Sequence, residues 1–160
     1  MQTDELEIFW QEFLDALPPE SPAHAATYTA EGFGDSPEMA DELGALIADG
    51  IKTATCSALW EWQAEGEQLP QPGQFSIVLD GQSHPLAVIE TTQVQVQPFN
   101  QVDADFAYEE GEGDRSLEYW RVAHWRFFSR SLSKIGKQAA EDMPLVCERF
   151  RVCFVRRCAL

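Results

Sequence analysis

Basic side chains are scarce in this chain of 160 residues, which carries 11 lysines and arginines against 27 aspartates and glutamates. They are also unevenly placed, because Lys52 is the only one before Arg115. Residues 1–114 therefore sum to a charge of about −22, and residues 115–160 to about +6. Tight binding to duplex nucleic acid needs several lysine or arginine contacts with phosphates. Only the last third of the chain offers them, so we expect no duplex DNA partner.

Three other features are missing. No apolar run approaches the roughly 18 residues of a membrane span, and the acidic start of the chain is unlike a signal peptide. The four cysteines lack the CxxC spacing of metal sites. We therefore expect a cytoplasmic protein with reduced cysteines, without a membrane partner, a metal or a cofactor. Cys147 and Cys153 are an even number of residues apart in a predicted strand, which favours small core residues.

The apolar content of 44%, with ten phenylalanines and five tryptophans, indicates one packed domain over residues 1–160. Apolar periodicity and capping residues predict helices over about residues 4–16, 37–49, 59–64, 102–109 and 116–135. Alternating patterns predict strands over about residues 75–79, 85–96 and 145–155. The stretch between the first two helices, up to Asp35, is expected to be a loop with Tyr28 and Phe33 as aromatic anchors.

The second predicted helix has clear end signals, with Ser36 as its cap, Pro37 at its first position and Gly50 at its end. It leads directly into Gly-Ile-Lys-Thr-Ala-Thr, which holds the isolated Lys52 and, three residues later, Thr55. In a strand these two side chains would point to opposite faces, whereas in a bent segment they could converge. The alternative is a surface lysine beside ordinary strand threonines.

The chemistry of this pair depends on the charge of the lysine. A threonine hydroxyl becomes a nucleophile when a base takes its proton, and Lys52 can be that base if burial lowers its pKa. Carboxylates near the lysine would instead keep it charged. The sequence leaves both states of Lys52 open.

Several motifs in order carry a family resemblance. They are Gly-x-Lys-Thr-x-Thr at residues 50–55, Pro-Gly-Gln-Phe at 72–75, Phe-Ala-Tyr-Glu-Glu-Gly at 106–111 and Asp-Met-Pro-Leu-Val-Cys-Glu-Arg-Phe at 142–150. Together they resemble the ASCH domain, a relative of the PUA fold, in its longer bacterial form. The resemblance implies an α+β fold, a PUA-like and mostly antiparallel β-barrel with surrounding helices, in which residues 1–35 are an added N-terminal helical region.

Compact bacterial members of this family are similar to amidohydrolases that remove the acetyl group of N4-acetylcytidine with a lysine, a threonine and a glutamate. Matched motif to motif, these residues fall on Lys52, Thr55 and Glu110, with Glu109 as the alternative glutamate. The resemblance implies that Thr55 attacks the acyl carbon and that Lys52 takes its proton. Glu110 would shuttle or donate a proton to the leaving cytosine amine and orient Lys52. The further candidates for binding the nucleoside substrate are Thr53, Phe33, Tyr108, Arg115 and Ser129.

Two other functions stay open. The resemblance also allows binding of single-stranded RNA, or metal-independent ribonuclease action in which Lys52 stabilises the phosphorane beside Ser129. Arg115, Arg126 and Arg130 would supply further positive charge, and the aromatic residues of 116–135 would stack on bases. The third possibility is a ligand-binding module without catalysis. Salt dependence separates the first two, because phosphate contacts weaken steeply as salt rises.

Overall fold

The computed structural model describes residues 2–156, which form an α+β fold around one curled, five-stranded sheet. The helices of this region are α1 (Gln2–Asp15), α2 (Pro37–Ala48), α3 (Leu59–Glu65), α4 (Ala104–Glu110) and α5 (Leu117–Ser133). The strands are β1 (Tyr28–Gly32), β2 (Ala54–Ala58), β3 (Phe75–Leu79), β4 (Pro85–Pro98) and β5 (Pro144–Val155). Short 3-10 turns lie at Pro22–Ala25 and Phe99–Gln101.

The strands follow the order β1-β3-β4-β5-β2. Only the β1–β3 pairing is parallel among these five strands, so the expectation of a mostly antiparallel sheet is confirmed. The long strands β4 and β5 shift register near Val88 and again after Thr91. Such irregularities bend a sheet, and here it curls into a half-barrel. Strand β2 lies at one edge of the half-barrel, next to β5.

Helix α2 ends where the Gly-x-Lys-Thr-x-Thr segment begins. The Ser36 hydroxyl accepts a hydrogen bond from the Met39 N–H at 3.1 Å and caps the helix, as predicted. Gly50 follows the helix with a φ of 75°, a conformation that favours glycine. The backbone N–H groups of Ile51 and Lys52 then both donate to the Leu46 carbonyl, at 2.9 and 3.1 Å. These bonds fix the position of Lys52 just before the first residue of β2.

The end of helix α4 contacts the same segment, just before β2. The Thr53 N–H donates to the Glu109 carbonyl at 2.8 Å, and Gly111 follows α4 with a φ of 75°. A Cβ atom on Gly111 would come within 2.7 Å of the Ile51 carbonyl oxygen, so only glycine permits this approach. The close contact brings the last turn of α4, with Glu110, against Lys52.

The core fills both faces of the sheet. Helix α1 packs Phe9 and Phe13 on one face, and α2 packs Ile47 on the other against Phe150. A further cluster joins α4 and α5 to the β2 end of the sheet and includes Trp120. Cys147 is buried in that cluster and Cys153 is half-buried, in agreement with their expected packing, whereas Cys158 lies outside the described residues.

The loop expected up to Asp35 is wrong in part, because Tyr28–Gly32 is strand β1. The strand is short, and every residue after Tyr28 is exposed, so it shows no alternation of apolar and polar side chains. Its stability comes from a partner distant in the chain, since it pairs in parallel with β3 and the Thr29 hydroxyl bonds the Ser76 hydroxyl at 3.0 Å. Within residues 2–156 no helix is both long and apolar enough to cross a membrane.

Candidate active site

Lys52 is buried, with 1% of its surface exposed. Its ammonium donates to the Ala54 carbonyl at 2.8 Å, to Glu110 Oε1 at 2.9 Å and to Glu112 Oε2 at 3.0 Å. An ammonium has three N–H donors, so these contacts use all of them. One positive charge is therefore held between two carboxylates, of which Glu110 is buried and Glu112 reaches solvent in part.

These contacts decide the protonation of the lysine. Burial alone would lower the pKa of Lys52, but the charges and hydrogen bonds of Glu110 and Glu112 outweigh it and raise that pKa. Lys52 is therefore an ammonium at neutral pH. The free protein thus holds it as a hydrogen-bond donor and not as a base.

The second oxygen of Glu110 is also fully engaged. Glu110 Oε2 accepts hydrogen bonds from Trp120 Nε1 and, at 3.4 Å, from the Cys56 thiol, and His124 Nε2 lies 3.2 Å away. Burial would raise the pKa of Glu110, but the positive charges of Lys52 and His124 and the hydrogen bonds lower it well below its usual range. Glu110 is thus an ionised group that orients its neighbours.

His124 completes the cluster from α5. Its Nδ1 lies 2.9 Å from the Trp120 carbonyl, to which it donates, and its ring stacks on the Trp120 ring at a centroid distance of 4.3 Å. Burial would lower the pKa of His124, but the charge of Glu110 and their hydrogen bond raise it. Burial raises the pKa of the Cys56 thiol well above its usual range. Nδ1 of His124 faces a carbonyl and Nε2 faces a carboxylate, so both ring nitrogens are placed to donate and the charged form of His124 is favoured.

The same cluster holds the side chains best suited to a metal ion. The ligand atoms of Cys56, Glu110 and His124 lie within 4.8 Å of one another. Thiol, carboxylate and imidazole are ligand types that zinc accepts. In the arrangement described here, protons on the thiol and the imidazole link both groups to the carboxylate.

We expect the His124–Glu110 pair to make stability depend on pH. Because the folded-state pKa of His124 is raised, its contribution is complete below about pH 6.5 and is lost as pH rises through that pKa. The contribution of Glu110 has the opposite sign and is lost on acidification below its ordinary pKa of about 4.3. His124→Gln should therefore be less stable than wild type at pH 6, by a margin that shrinks towards pH 9.

Urea unfolding at each pH measures this margin. His24→Gln is the matched control, since His24 is exposed and far along the chain from the cluster. It should follow the wild-type curve. A constant difference between wild type and His124→Gln from pH 6 to 9 would contradict the imidazolium assignment.

A cavity of about 140 Å³ adjoins the cluster, between β2 and residues of α2 and α5. Its polar lining residues are Glu42, Lys52, Thr55, Glu112 and His124, with Cys56 beside them. Its apolar wall includes Phe33, Leu43, Tyr119 and Phe127. Thr55 is half-buried, and within residues 2–156 its hydroxyl makes no hydrogen bond. The cavity therefore places a charged donor and an available hydroxyl on one wall.

The bend before β2 explains this convergence. The strand begins only at Ala54, and the Lys52 side chain turns back on the Ala54 carbonyl. Thr55 and Cys56 then point to opposite faces of an edge strand, and the cavity follows the edge so that both border it. It is the Cys56 thiol, not the Thr55 hydroxyl, that contacts Glu110.

The other expected site residues are divided between the cavity and its surroundings. Phe33 lines the cavity, whereas Thr53 bonds the Glu109 carbonyl at the end of α4. Arg115 covers the Tyr108 ring at 3.6 Å and donates to the Tyr108 and Ile51 carbonyls, outside the cavity wall. Ser129 is exposed on α5, about 200° around the helix from Phe127.

The two adjacent glutamates have different partners. Glu109 pairs with Arg149, and Glu110 pairs with Lys52. Four residues of the cluster were not predicted from the sequence as site residues: Glu112, His124, Trp120 and Cys56. A buried glutamate needs several donors, and the lone histidine of α5, one turn after Trp120, was the available signal.

Comparison with known proteins gives the family. Residues 29–153 match the ASCH domain. The crystal structure of an ASCH domain from Lactobacillus crispatus JV V101 is 35% identical, covers 94% of this chain and 95% of its own, and superposes with a TM-score of 0.89. A protein of Enterococcus faecalis V583 is 44% identical, with coverages of 96% and 90% and a TM-score of 0.82. No curated protein matches. The chain belongs to the ASCH domain family and has its PUA-like α+β fold.

Proposed function

We propose that this protein hydrolyses the amide formed by the exocyclic amine of cytosine, as in N4-acetylcytidine. One observation carries the proposal. A buried ammonium, held by two carboxylates, borders the same small cavity as a threonine hydroxyl without a hydrogen-bond partner in the described chain. The resemblance of this chain to compact bacterial amidohydrolases points to the same lysine, threonine and glutamate.

The protonation of Lys52 suggests its role. When Thr55 attacks an amide carbonyl, negative charge develops on the carbonyl oxygen. A fixed ammonium in a water-poor site stabilises that charge, and one such donor contributes about 10²–10³-fold to the rate. Lys52 would therefore stabilise the oxyanion, with the N–H that the part-exposed Glu112 accepts in the free protein turning to the substrate oxygen. Glu110 would be the positioning residue, because both its oxygens are occupied in holding Lys52, His124 and their neighbours.

The cavity favours a small group as its occupant. Pockets for drug-sized ligands usually have about 300–1,000 Å³, and this one has about 140 Å³. That space suits an acylated base with its ribose left at the entrance. Phe33 and Phe127 provide apolar walls against which a planar base can pack. A free nucleoside and a base turned out of a single-stranded RNA would both present this group.

The direct test is incubation of the purified protein with N4-acetylcytidine. Chromatography measures the release of cytidine. We expect turnover that changes little between low and high salt, since the substrate is neutral. N4-acetylated single-stranded RNA, tested in parallel, shows whether the base is also accepted in a polymer. Absence of cytidine release from both substrates would refute the proposed activity.

The outer face of α5 favours a second candidate, single-stranded RNA binding. Val122 and Trp125 are exposed there, and Arg121 and Arg126 lie beside them. Exposed aromatic and cationic side chains bind single strands by stacking and phosphate contacts. Filter binding of unmodified RNA at rising salt tests this candidate separately. Steep weakening with salt would support it, whereas undetectable binding at low salt would exclude it.

A further inference from the structure

Strand pairing brings a second carboxylate to Thr55. In the antiparallel β2–β5 ladder, Thr55 is directly opposite Glu148. Side chains at such paired positions project from the same face, with Cβ atoms about 4.5–5.5 Å apart. We propose that Glu148 is the general base that takes the proton of the Thr55 hydroxyl. This inference rests on the proposed hydrolysis and identifies a catalytic residue that the lysine, threonine and glutamate set does not contain.

A separate base for Thr55 is needed because the charged groups of the cluster are engaged with one another. Lys52 is an ammonium whose three donors are in use. Glu110 is ionised, but its oxygens are occupied and face the Cys56 side of β2. Since residues alternate along a strand, Thr55 projects from the face opposite Cys56. Glu112 accepts a hydrogen bond from Lys52, and both ring nitrogens of His124 face acceptors, the Trp120 carbonyl and Glu110. On the Thr55 face itself, the register places Glu148 directly opposite the hydroxyl.

The surroundings of Glu148 suit a carboxyl group that exchanges protons near neutral pH. It is half-buried on the β5 face that also carries Phe150, which packs with Leu43 and Ile47 of α2. From β4 the Thr91 hydroxyl donates to its carboxylate, and from β1 Glu31 adds a negative charge. Burial and then the charge of Glu31 raise the pKa of Glu148 to about 7, against the lowering effect of Thr91. General bases are most effective with a pKa near the working pH.

The reaction balances with these groups alone. The Thr55 oxygen bonds to the acyl carbon as its proton passes to Glu148, and Lys52 stabilises the oxyanion. The C–N bond then breaks, and the protonated Glu148 returns the proton to the leaving cytosine amine. Water attacks the resulting Thr55 ester with Glu148 again as base. The ester C–O bond breaks, the proton returns to the Thr55 oxygen, and the carboxylic acid leaves.

The free protein shows the starting position of these groups. The Glu148 carboxylate accepts from Thr91, and the Thr55 hydroxyl has no partner within the described chain. A side-chain rotation of Thr55 or Glu148 would join them, and catalytic hydrogen bonds often tighten only when substrate binds. Thr91 is therefore a positioning residue for the base. Glu31 is an electrostatic neighbour of Glu148, so its negative charge affects the pKa of the base.

The test is the pH dependence of kcat/KM for N4-acetylcytidine. Wild type should lose activity below about pH 7 as Glu148 becomes protonated. Glu148→Gln should lower kcat/KM at pH 8 by about 10²-fold or more and abolish this acid limb. Glu31→Gln is the matched control. It should keep the wild-type rate at pH 8 and move the acid limb to lower pH, because loss of a negative neighbour lowers the pKa of Glu148.

Stability measurements separate chemistry from folding. A raised carboxyl pKa costs stability as pH rises through it, so Glu148→Gln should be at least as stable as wild type at pH 8. Glu148→Asp keeps a carboxyl group and should retain an acid limb at a reduced rate, even if the glutamine variant does not fold. A wild-type rate and an unchanged acid limb in Glu148→Gln would overturn the role of Glu148 while leaving the hydrolase proposal intact. Failure of wild type to release cytidine would instead refute the proposed function itself.

Discussion

Replacing Lys52 with methionine should both slow catalysis and weaken the fold. The oxyanion would lose its ammonium, which we expect to cost about 10²–10³-fold in kcat for N4-acetylcytidine. Glu110 and Glu112 would be left with His124 as their one cationic partner in the cluster, so one negative charge would be uncompensated, and breaking a buried ion pair in this way costs about 3–5 kcal/mol. Steady-state kinetics and urea unfolding of the same preparation measure the two effects.

A second variant separates the two losses. In Lys52→Met combined with Glu110→Gln, the uncompensated buried charge is gone, so much of the stability should return while kcat stays at the reduced level of Lys52→Met or below it. Lys134→Met, at an exposed lysine that follows α5, is the control and should match wild type in both measurements. Wild-type kcat in a folded Lys52→Met protein would contradict the role of the ammonium.

Thr55→Ala should remove activity without weakening the fold. Loss of a nucleophile in other hydrolases reduces kcat by several orders of magnitude, and we expect on the order of 10⁴-fold or more here. The free energy of unfolding should change by less than about 1 kcal/mol, because the Thr55 hydroxyl is half-buried and has no hydrogen bond in residues 2–156. The rate of cytidine release gives kcat, and urea unfolding gives the free energy of unfolding.

Two comparisons make this result specific. Thr55→Ser keeps a hydroxyl and should retain measurable turnover. Thr29→Ala removes a strand hydroxyl of β1 that lies outside the cavity wall, and it should leave kcat unchanged. If Thr55→Ala kept near-full rate, water rather than Thr55 would have to be the attacking group.

Local signals in the sequence were sufficient for most of the elements that carry this site. Ser36, Pro37 and Gly50 defined α2, and strand β3 was predicted at the observed Phe75–Leu79. Strand β1 was missed because its stability comes from pairing with β3, a contact between distant parts of the chain. Four exposed residues in five leave no periodic pattern for sequence analysis to detect.

The charge of Lys52 shows why the site was harder to predict than the fold. The sequence placed Lys52 and Thr55 together but left the protonation of the lysine open. The answer depends on Glu110 and then on Glu112, which both contact Lys52, and Gly111 between them packs too closely on the Ile51 carbonyl to carry a side chain. Two carboxylates then outweigh the effect of burial. The spacing of residues along the chain does not show whether burial or the carboxylates will dominate the pKa of Lys52.

Glu148 illustrates a signal that was present and left unused. In the predicted closing strand it alternates in phase with Val146, Phe150 and Val152, so a carboxyl group was already placed on an apolar face. Its relation to Thr55 required the β2–β5 register, which no local pattern specifies. Carboxyl groups on apolar faces of a strand are therefore worth examining together with the hydroxyls that the sheet pairs with them.

A crystal structure of Thr55→Ala soaked with N4-acetylcytidine would test most directly whether this cavity is the place of reaction. We expect the acetyl group to lie in the cavity, with its carbonyl oxygen about 3 Å from Lys52 Nζ and its carbonyl carbon beside the β-carbon of residue 55. The cytosine ring should lie between Phe33 and Phe127. A ligand bound on α5, or a base in the cavity with its acetyl group directed away from Lys52, would contradict the proposal.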